Sequence, residues 1–436
     1  TTGDNNVAVG VNALGALTTA NNNIGIGQGA GDAITTGEAN IIIGSSAGSA
    51  ITTDQYVTIV GYSSGQYMEA GNGNRYNSYF GAAAGYRGGP GVSQTYLGAN
   101  SGFYATGSYN TFVGSSAGQG GTSSAPYSSG VNNVAMGFEA LKVFTTGGHN
   151  VAIGYRSGLD LTTGNYNTFL GRESGFEVTT NEGSVFLGYQ AGKNTNGAYH
   201  YNIAIGMQAL SAAHTQSGTI AIGYKALEAL TSGADNIAIG YAALLNHTTG
   251  GYNIAIGKNT MYDTDAGSTS LGSQHNIFIG LSAGGGVWAD AASNYNVGIG
   301  NYSMDAALNG ALNNTALGHY TLSSLTEGDS NVALGYAAGT ALTTGSTNIL
   351  IGRSAGGAGT DLANSVIIGT YAGDAINTNN SQGSVIIGYQ AGTTLTGGIN
   401  TFIGYEAGRY STTGTYNTAV GYEAMLNTTG YHGNTV

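Results

Sequence analysis

Apolar and polar positions alternate along this chain in short bursts that return at a nearly fixed interval. Each burst sets two large or β-branched apolar residues around one position of variable size and closes on glycine. Val151-Ala152-Ile153-Gly154 and Thr168-Phe169-Leu170-Gly171 are neighbouring examples. The closing glycine recurs 24 times, from Gly10 to Gly421, and 14 of the 23 intervals are 17 residues, the rest running from 16 to 23. The residue before it is large and apolar in every copy. Three before it, 23 of 24 are Val, Ile or Thr, Ser78 being the exception, and four before it 18 of 24 are Asn. Three after the glycine every copy has Ala, Ser or Thr, and four after it every copy has Gly or Leu/Met. Column-by-column constraint of this kind marks stacked repeats, not independent domains.

Two β-branched residues two apart predict a short strand of about five residues with both side chains turned to the core. The glycine ends it in a turn, and the small column beyond packs against the large one. The next stretch, as in 223–230 (GYKALEAL), reads as a second short strand or an irregular turn, and the recurring Thr-Thr-Gly as a corner. One such unit cannot bury its own apolar face, whereas stacked copies share a continuous core. The expected fold is therefore all-β, a parallel β-solenoid (β-roll) of about 24 coils with a 17-residue repeat. Rungs roughly 4.8 Å apart would make it a rod on the order of 115 Å long. In the column four before the glycine, Asn150, Asn167, Asn236 and Asn253 are expected to form a structural amide ladder. Residues 1–436 read as one continuous array, with loop insertions near 62–76, 119–130, 258–276 and 284–294. Pro90 and Pro126 fall in such irregular stretches, where no ladder bond is lost. Because Thr1 starts at a corner and Val436 stops within a strand, the array reads as a segment of a longer chain.

Composition narrows the function classes. Only 7% of the 436 residues are charged, 78 are Gly, none is Cys, and the net charge is −12. With two prolines and no Gly-X-Y period a collagen triple helix is excluded, and 41% apolar residues argue against disorder. Ten basic residues leave nucleic acid an unexpected partner. Absent cysteine removes disulfides and thiol chemistry, and no run is long and apolar enough for a membrane span.

Candidate chemistry is sparse. His149, His200, His214, His247, His275, His319 and His432 show no metal-ligand spacing and read as exposed or loop residues. Asp263, Asp265 and Gly267 could assist a calcium ion but lack further acidic ligands, so an Asx turn is the simpler reading. No carboxylate pair recurs as a catalytic dyad would need, so no enzyme, cofactor or metal is expected. Strings such as Gly25-Ile26-Gly27 sit inside a strand column and are not phosphate loops. Asn246, Asn301, Asn313, Asn379 and Asn427 begin Asn-x-Ser/Thr triplets. Stacked corner threonines, such as Thr18-Thr19 and Thr35-Thr36, raise an ice-binding alternative, with hydroxyl-to-backbone bonding as the simpler account.

Tyrosine carries the one conspicuous surface signal. Tyr62, Tyr155, Tyr189, Tyr224, Tyr241, Tyr336, Tyr389, Tyr405 and Tyr422 directly follow the glycine. A second set, Tyr109, Tyr166, Tyr252, Tyr295 and Tyr416, precedes the Asn column. Such stripes either stack to shield the strands, face another subunit, or bind a ligand.

The phrase Asn-Val-Ala-Ile-Gly followed by a small residue resembles the head repeats of YadA-type trimeric autotransporter adhesins. Residues 417–430 (NTAVGYEAMLNTTG) and 236–250 (NIAIGYAALLNHTTG) are similar to arrays in tail-fibre-like surface proteins of bacteria and phages. The resemblance implies a left-handed solenoid, association of three chains side by side, and an extracellular, cell-surface or phage-tail location. It implies a rigid, non-catalytic fibre shaft or adhesin head, with a carbohydrate-binding tail-fibre segment as the alternative. Self-association, as a homotrimer or fibre, and a host-surface glycan or receptor are the expected partners.

Overall fold

A computed structural model describes residues 2–68, 75–121, 123–124, 126–195, 200–264, 272–376 and 382–436. Thr1, Asp265, Gly267, Asn379 and parts of the expected insertions at 62–76, 119–130 and 258–276 lie outside the described residues. The chain forms two compact units, Thr1–Gly218 and Thr219–Val436. Each is a parallel β-solenoid of twelve strands, from Val7–Val9 to Ile203–Ile205 in the first and from Ile220–Ile222 to Thr418–Val420 in the second. Among the described residues there is no helix, so none long and apolar enough to cross a membrane.

Strands are three residues long, shorter than the five expected, and pair parallel and in register with the strand of the next coil. In the first unit Val151 lies beside Thr168 and Thr168 beside Val185; in the second Ile220, Ile237 and Ile254 follow one another in the same way. Like therefore sits over like along each unit.

The closing glycine has φ between 129° and 143° in every coil, a region that residues with a Cβ rarely occupy. It is also stacked on its counterpart: a Cβ on Gly27 would fall 2.7 Å from the carbonyl carbon of Gly44. Both constraints exclude every other residue, which explains the unbroken column.

Among the described residues the stretch beyond the glycine is an irregular turn, one of the two readings the sequence left open, and not a second strand. The chain turns through residues whose backbone hand alternates, with positive φ two and four past the glycine, as at Arg156 (53°) and Gly158 (57°) or Lys225 (54°) and Leu227 (51°). That alternation aims successive N–H groups at opposite neighbours. Arg156 donates backward to the carbonyl of Phe138 at 2.9 Å, and Gly158 forward to that of Ser174 at 2.9 Å. A turn so built satisfies its backbone as fully as a strand would.

The core lies on the other face from the one the sequence suggests. The variable residue at the strand centre is fully buried (Ala152, Phe169, Phe186, Ala238), while the aliphatics flanking it point outward and are half-buried or exposed. The run after the glycine folds back over the strand-centre side, so the small column and its Gly/Leu/Met neighbour join that residue inside: Ala140, Leu141, Ser157 and Ala226 are all buried. The expectation that Ile239 is a core residue is thus corrected; it is half-buried beside the buried Ala238.

Packing inside the coil follows a rule of compensation. Every coil with Leu or Met four past its glycine has Ala or Gly at its own strand centre, as with Leu141 and Ala135 or Leu244 and Ala238. Every coil with a bulky strand centre has Gly there instead. The geometry explains why: a Cβ on Gly175 would stand 3.0 Å from the Phe169 ring, and one on Gly158 would stand 2.9 Å from the same ring. Never filling both positions of one coil with bulky residues avoids overpacking, and coils small at both, such as Ala152 with Gly158, make room for a neighbouring coil's side chain such as Phe169.

The asparagine column is buried and forms the expected ladder. Asn167 Oδ1 accepts from the backbone N–H of Ser184 at 3.0 Å, and its Nδ2 donates to the Asn181 carbonyl at 2.7 Å and to Asn150 Oδ1 at 3.1 Å. Asn150, Asn236 and Asn253 repeat the pattern, each binding the next coil's backbone. These bonds fasten corner and strand of successive coils together. Of the insertions, 284–294 does not simply leave the stack: Trp288 is fully buried, with Nε1 donating to the Gly284 carbonyl at 3.0 Å. Ser128 likewise returns to the core and donates to the Phe144 carbonyl at 2.7 Å.

Candidate interaction surfaces

Each unit carries two parallel files of outward-facing side chains, three and one before the glycine. In the first unit they run from Val7 and Val9 to Ile203 and Ile205, in the second from Ile220 and Ile222 to Thr418 and Val420. No position in either file is charged. Val9, Leu97, Leu170, Leu317, Leu334 and Val420 are among the exposed members. The file one before the glycine is apolar at every rung, while eight of the 24 positions in the other are Thr or Ser; an uncharged strip of this kind exceeds the scattered apolar exposure normal at a protein surface.

Tyr155, Tyr189, Tyr241, Tyr336, Tyr389, Tyr405 and Tyr422 are exposed, and Tyr224 is half-buried. Where the column is unbroken, rings stack along it: Tyr224 on Tyr241 at 4.9 Å, Tyr389 on Tyr405 and Tyr405 on Tyr422 at 5.2 Å. At three of the rungs without an aromatic ring a cation lies against the neighbouring ring or rings. Arg172 lies 5.4 Å from the Tyr155 ring and 5.7 Å from that of Tyr189, and Lys258 lies 5.6 Å from Tyr241. The geometry matches stacking that covers the strand ends, with outer edges left to solvent. Beside Tyr422, a hydrogen bond to Glu423 holds the phenol above its usual pKa. Members of the second set stack too, with His149 on Tyr166 at 4.9 Å and His275 between Tyr252 and Tyr295.

Next to the tyrosines, carboxylates two past the glycine pair along the stack. Glu139 accepts from Lys142 at 2.6 Å and Arg156 at 2.7 Å, and the lysine bond leads in holding its pKa below the usual range. Such half-exposed pairs contribute little to stability.

The histidines are less uniform than expected. His214 and His247 lie outside the strands, as loop residues, but are fully buried and not exposed. His247 bonds Thr264 Oγ1 and the Gly250 carbonyl, both at 2.7 Å, and burial pushes the pKa of His214 down to about 4. A buried ion pair, Arg75 with Asp54 at 2.6 Å, also lay outside the sequence reading. Arg75 further donates to the Gly89 carbonyl at 2.7 Å, and nearby Tyr79 bonds Gln94, which occupies the asparagine column. Burial raises the Tyr79 pKa. Arg75 precedes the Asn column by two residues, a place held by small or polar residues in most coils, and that oddity was the available signal. Among the described residues no three His, Asp or Glu side chains converge as metal ligands would.

The first threonine of several corner pairs bonds to the backbone. Thr18 Oγ1 donates to the Thr35 carbonyl at 2.8 Å, Thr162 to Thr179 at 3.0 Å and Thr343 to Thr360 at 2.8 Å. Compared with protein-family models and with curated proteins, the chain matches none of either.

Proposed function

We propose that this protein is a non-catalytic structural element, a rigid fibre shaft or adhesin head that works by stiffness and repeated display. The observation carrying this reading is the pair of uncharged outward files along each unit, one of them apolar at every rung and the other Val, Ile or Thr at all but one. A second copy is the partner best suited to cover them, because only a chain with the same rise per coil stays in step with every rung. Three copies side by side, as in the adhesin heads the repeat resembles, would bury the files about a common axis. The place for such an assembly is extracellular, on a cell surface or a phage tail. Acidic balance and the lack of cysteine suit that setting.

Sizing by light scattering tests this. Three chains of 43.7 kDa give a particle of about 131 kDa. Ile239→Asp places a charge in the file without burying it inside the coil, so the variant should keep its β-sheet spectrum and melt near the parent in its monomeric state, yet fail to assemble. A parent that stays monomeric at high concentration would overturn the reading. The ice-binding alternative draws no support from corner hydroxyls already bonded to carbonyls.

A further inference from the structure

Five and six residues past the closing glycine lies a pair of positions that the repeat leaves free to vary. Six of the twelve coils of the first unit put only small, polar or charged residues there, such as Asp32-Ala33, Ser49-Ala50 or Ser211-Ala212, and three more carry a single apolar residue, Val143, Leu159 or Phe176. Three consecutive coils depart from this and bring together Tyr67, Tyr86, Arg87, Phe103 and Tyr104. Tyr127, from the following insertion, joins them, its ring 6.0 Å from that of Tyr104 and near-parallel to it. Tyr86 stacks on Phe103 at 4.5 Å and meets Tyr67 edge-on at 5.1 Å.

Arg87 sits in the middle. Its guanidinium lies 5.0 Å from the Tyr67 ring and 5.6 Å from the Tyr127 ring. Among the described residues no carboxylate lies within ion-pair distance of it, in a chain where acidic residues outnumber basic ones by 22 to 10. Rings flanking a planar guanidinium hold it by its faces and leave the N–H edge for a bidentate oxyanion. The backbone beneath is rigid: Tyr67 N–H donates to the Tyr86 carbonyl, Arg87 to Phe103 and Tyr104 to Gln119, at 2.8, 2.8 and 2.7 Å. Preorganisation on ladder hydrogen bonds lowers the cost of ligand capture.

We propose that Arg87, held between Tyr67 and Tyr127, binds the carboxylate of an acidic sugar residue in a glycan. The same cluster carries the phenols of Tyr86, Tyr104 and Tyr127, groups that hydrogen-bond sugar hydroxyls. A ligand with a carboxylate set among hydroxyls matches that cluster better than an acidic peptide, whose carboxylates stand on apolar stems. The patch follows the glycine turn, whereas the outward files precede it, so the proposal deepens the adhesive side of the reading above without needing the assembly.

Ligand-observed NMR on the full chain tests it, with sialyllactose and a glucuronic-acid-containing tetrasaccharide as acidic probes. Lactose and a glutamate-rich peptide serve as comparisons. At least one acidic saccharide should bind, and Arg87→Gln should weaken it at least about tenfold, the loss expected for a charge-assisted pair. Arg353→Gln, in the second unit, should leave binding unchanged. Because the variant gives up two ring contacts but no ion pair among the described residues, it should stay folded and melt only slightly below the parent. No binding of either acidic saccharide at millimolar concentration, equal binding of lactose, preference for the peptide, or indifference to Arg87→Gln would each overturn the proposal. Sugar binding and particle mass are separate readouts, so failure of one is not mistaken for failure of the other.

Discussion

Phe169 offers the sharpest trial of how the coil interior is filled. Its ring is fully buried and lies between two glycines, Gly158 in its own unit's preceding turn and Gly175 in the following one. It also stacks on Phe186 at 5.2 Å. Phe169→Ala should cost about 3–5 kcal/mol, the usual range for emptying a packed aromatic site. Gly158→Leu alone should cost about 1–3 kcal/mol or more by overpacking, since its Cβ would already stand 2.9 Å from the ring. Together, the two changes recreate the arrangement one coil earlier, where Leu141 lies with Ala135 and Ala152. A leucine at positive φ is native there (51°), so the backbone accepts it. The double variant should therefore recover most of the loss, falling short by about 1 kcal/mol for the missing ring stack. Calorimetry or denaturant titration of the four proteins in the cycle reads the coupling. Purely additive penalties would refute the idea that strand centre and turn share one space.

Three more expectations concern other parts of the coil. Asn167→Ala strands the Ser184 N–H and the Asn181 carbonyl and should cost about 2–5 kcal/mol by denaturant unfolding. Ile399 is exposed and has φ 57°, a poor conformation for a β-branched side chain; Ile399→Asn should raise the melting temperature, by about 1 kcal/mol in stability. His214 keeps its proton less tightly when folded than unfolded, with a folded pKa of about 4 against 6.5. The unfolded chain therefore binds more protons between these values, and stability falls as pH drops from 6.5 towards 4, by about 3 kcal/mol. Melting followed across that window should show the loss, and His214→Gln should flatten it.

Much of this architecture could be read from spacing alone. The glycine and asparagine columns marked the repeat because of their geometric demands: an unusual φ under a stacked neighbour admits only glycine, and a buried amide with fixed partners is kept in 18 of 24 coils. The inward face could not be read the same way. Val151 and Ile153 flanking Ala152 alternate identically whichever side is buried, and an aliphatic outer file imitates a core. The deciding signal was covariation: a bulky Phe169 or Ile386 always meets a glycine four past the closing turn, and Leu141 or Leu244 always meets an alanine. Only residues that touch need trade size. The stretch beyond the glycine stayed open between strand and turn for a similar reason. The column two past the glycine contains no Val, Ile or Thr, which is what a left-handed backbone requires. The Arg87 cluster escaped because it departs from the repeat, and column averages hide departures.

The asparagine bonds have a sense of direction. Each amide offers its oxygen to the backbone N–H of the coil that follows and its nitrogen to that coil's corner, as Asn150 does for Asn167 and Gly164. A finished coil thus presents a prepared acceptor and donor on its C-terminal side. During synthesis the chain emerges N-terminus first, so each newly exposed coil meets a template already in place, and the protein can be laid down in the order in which it is made.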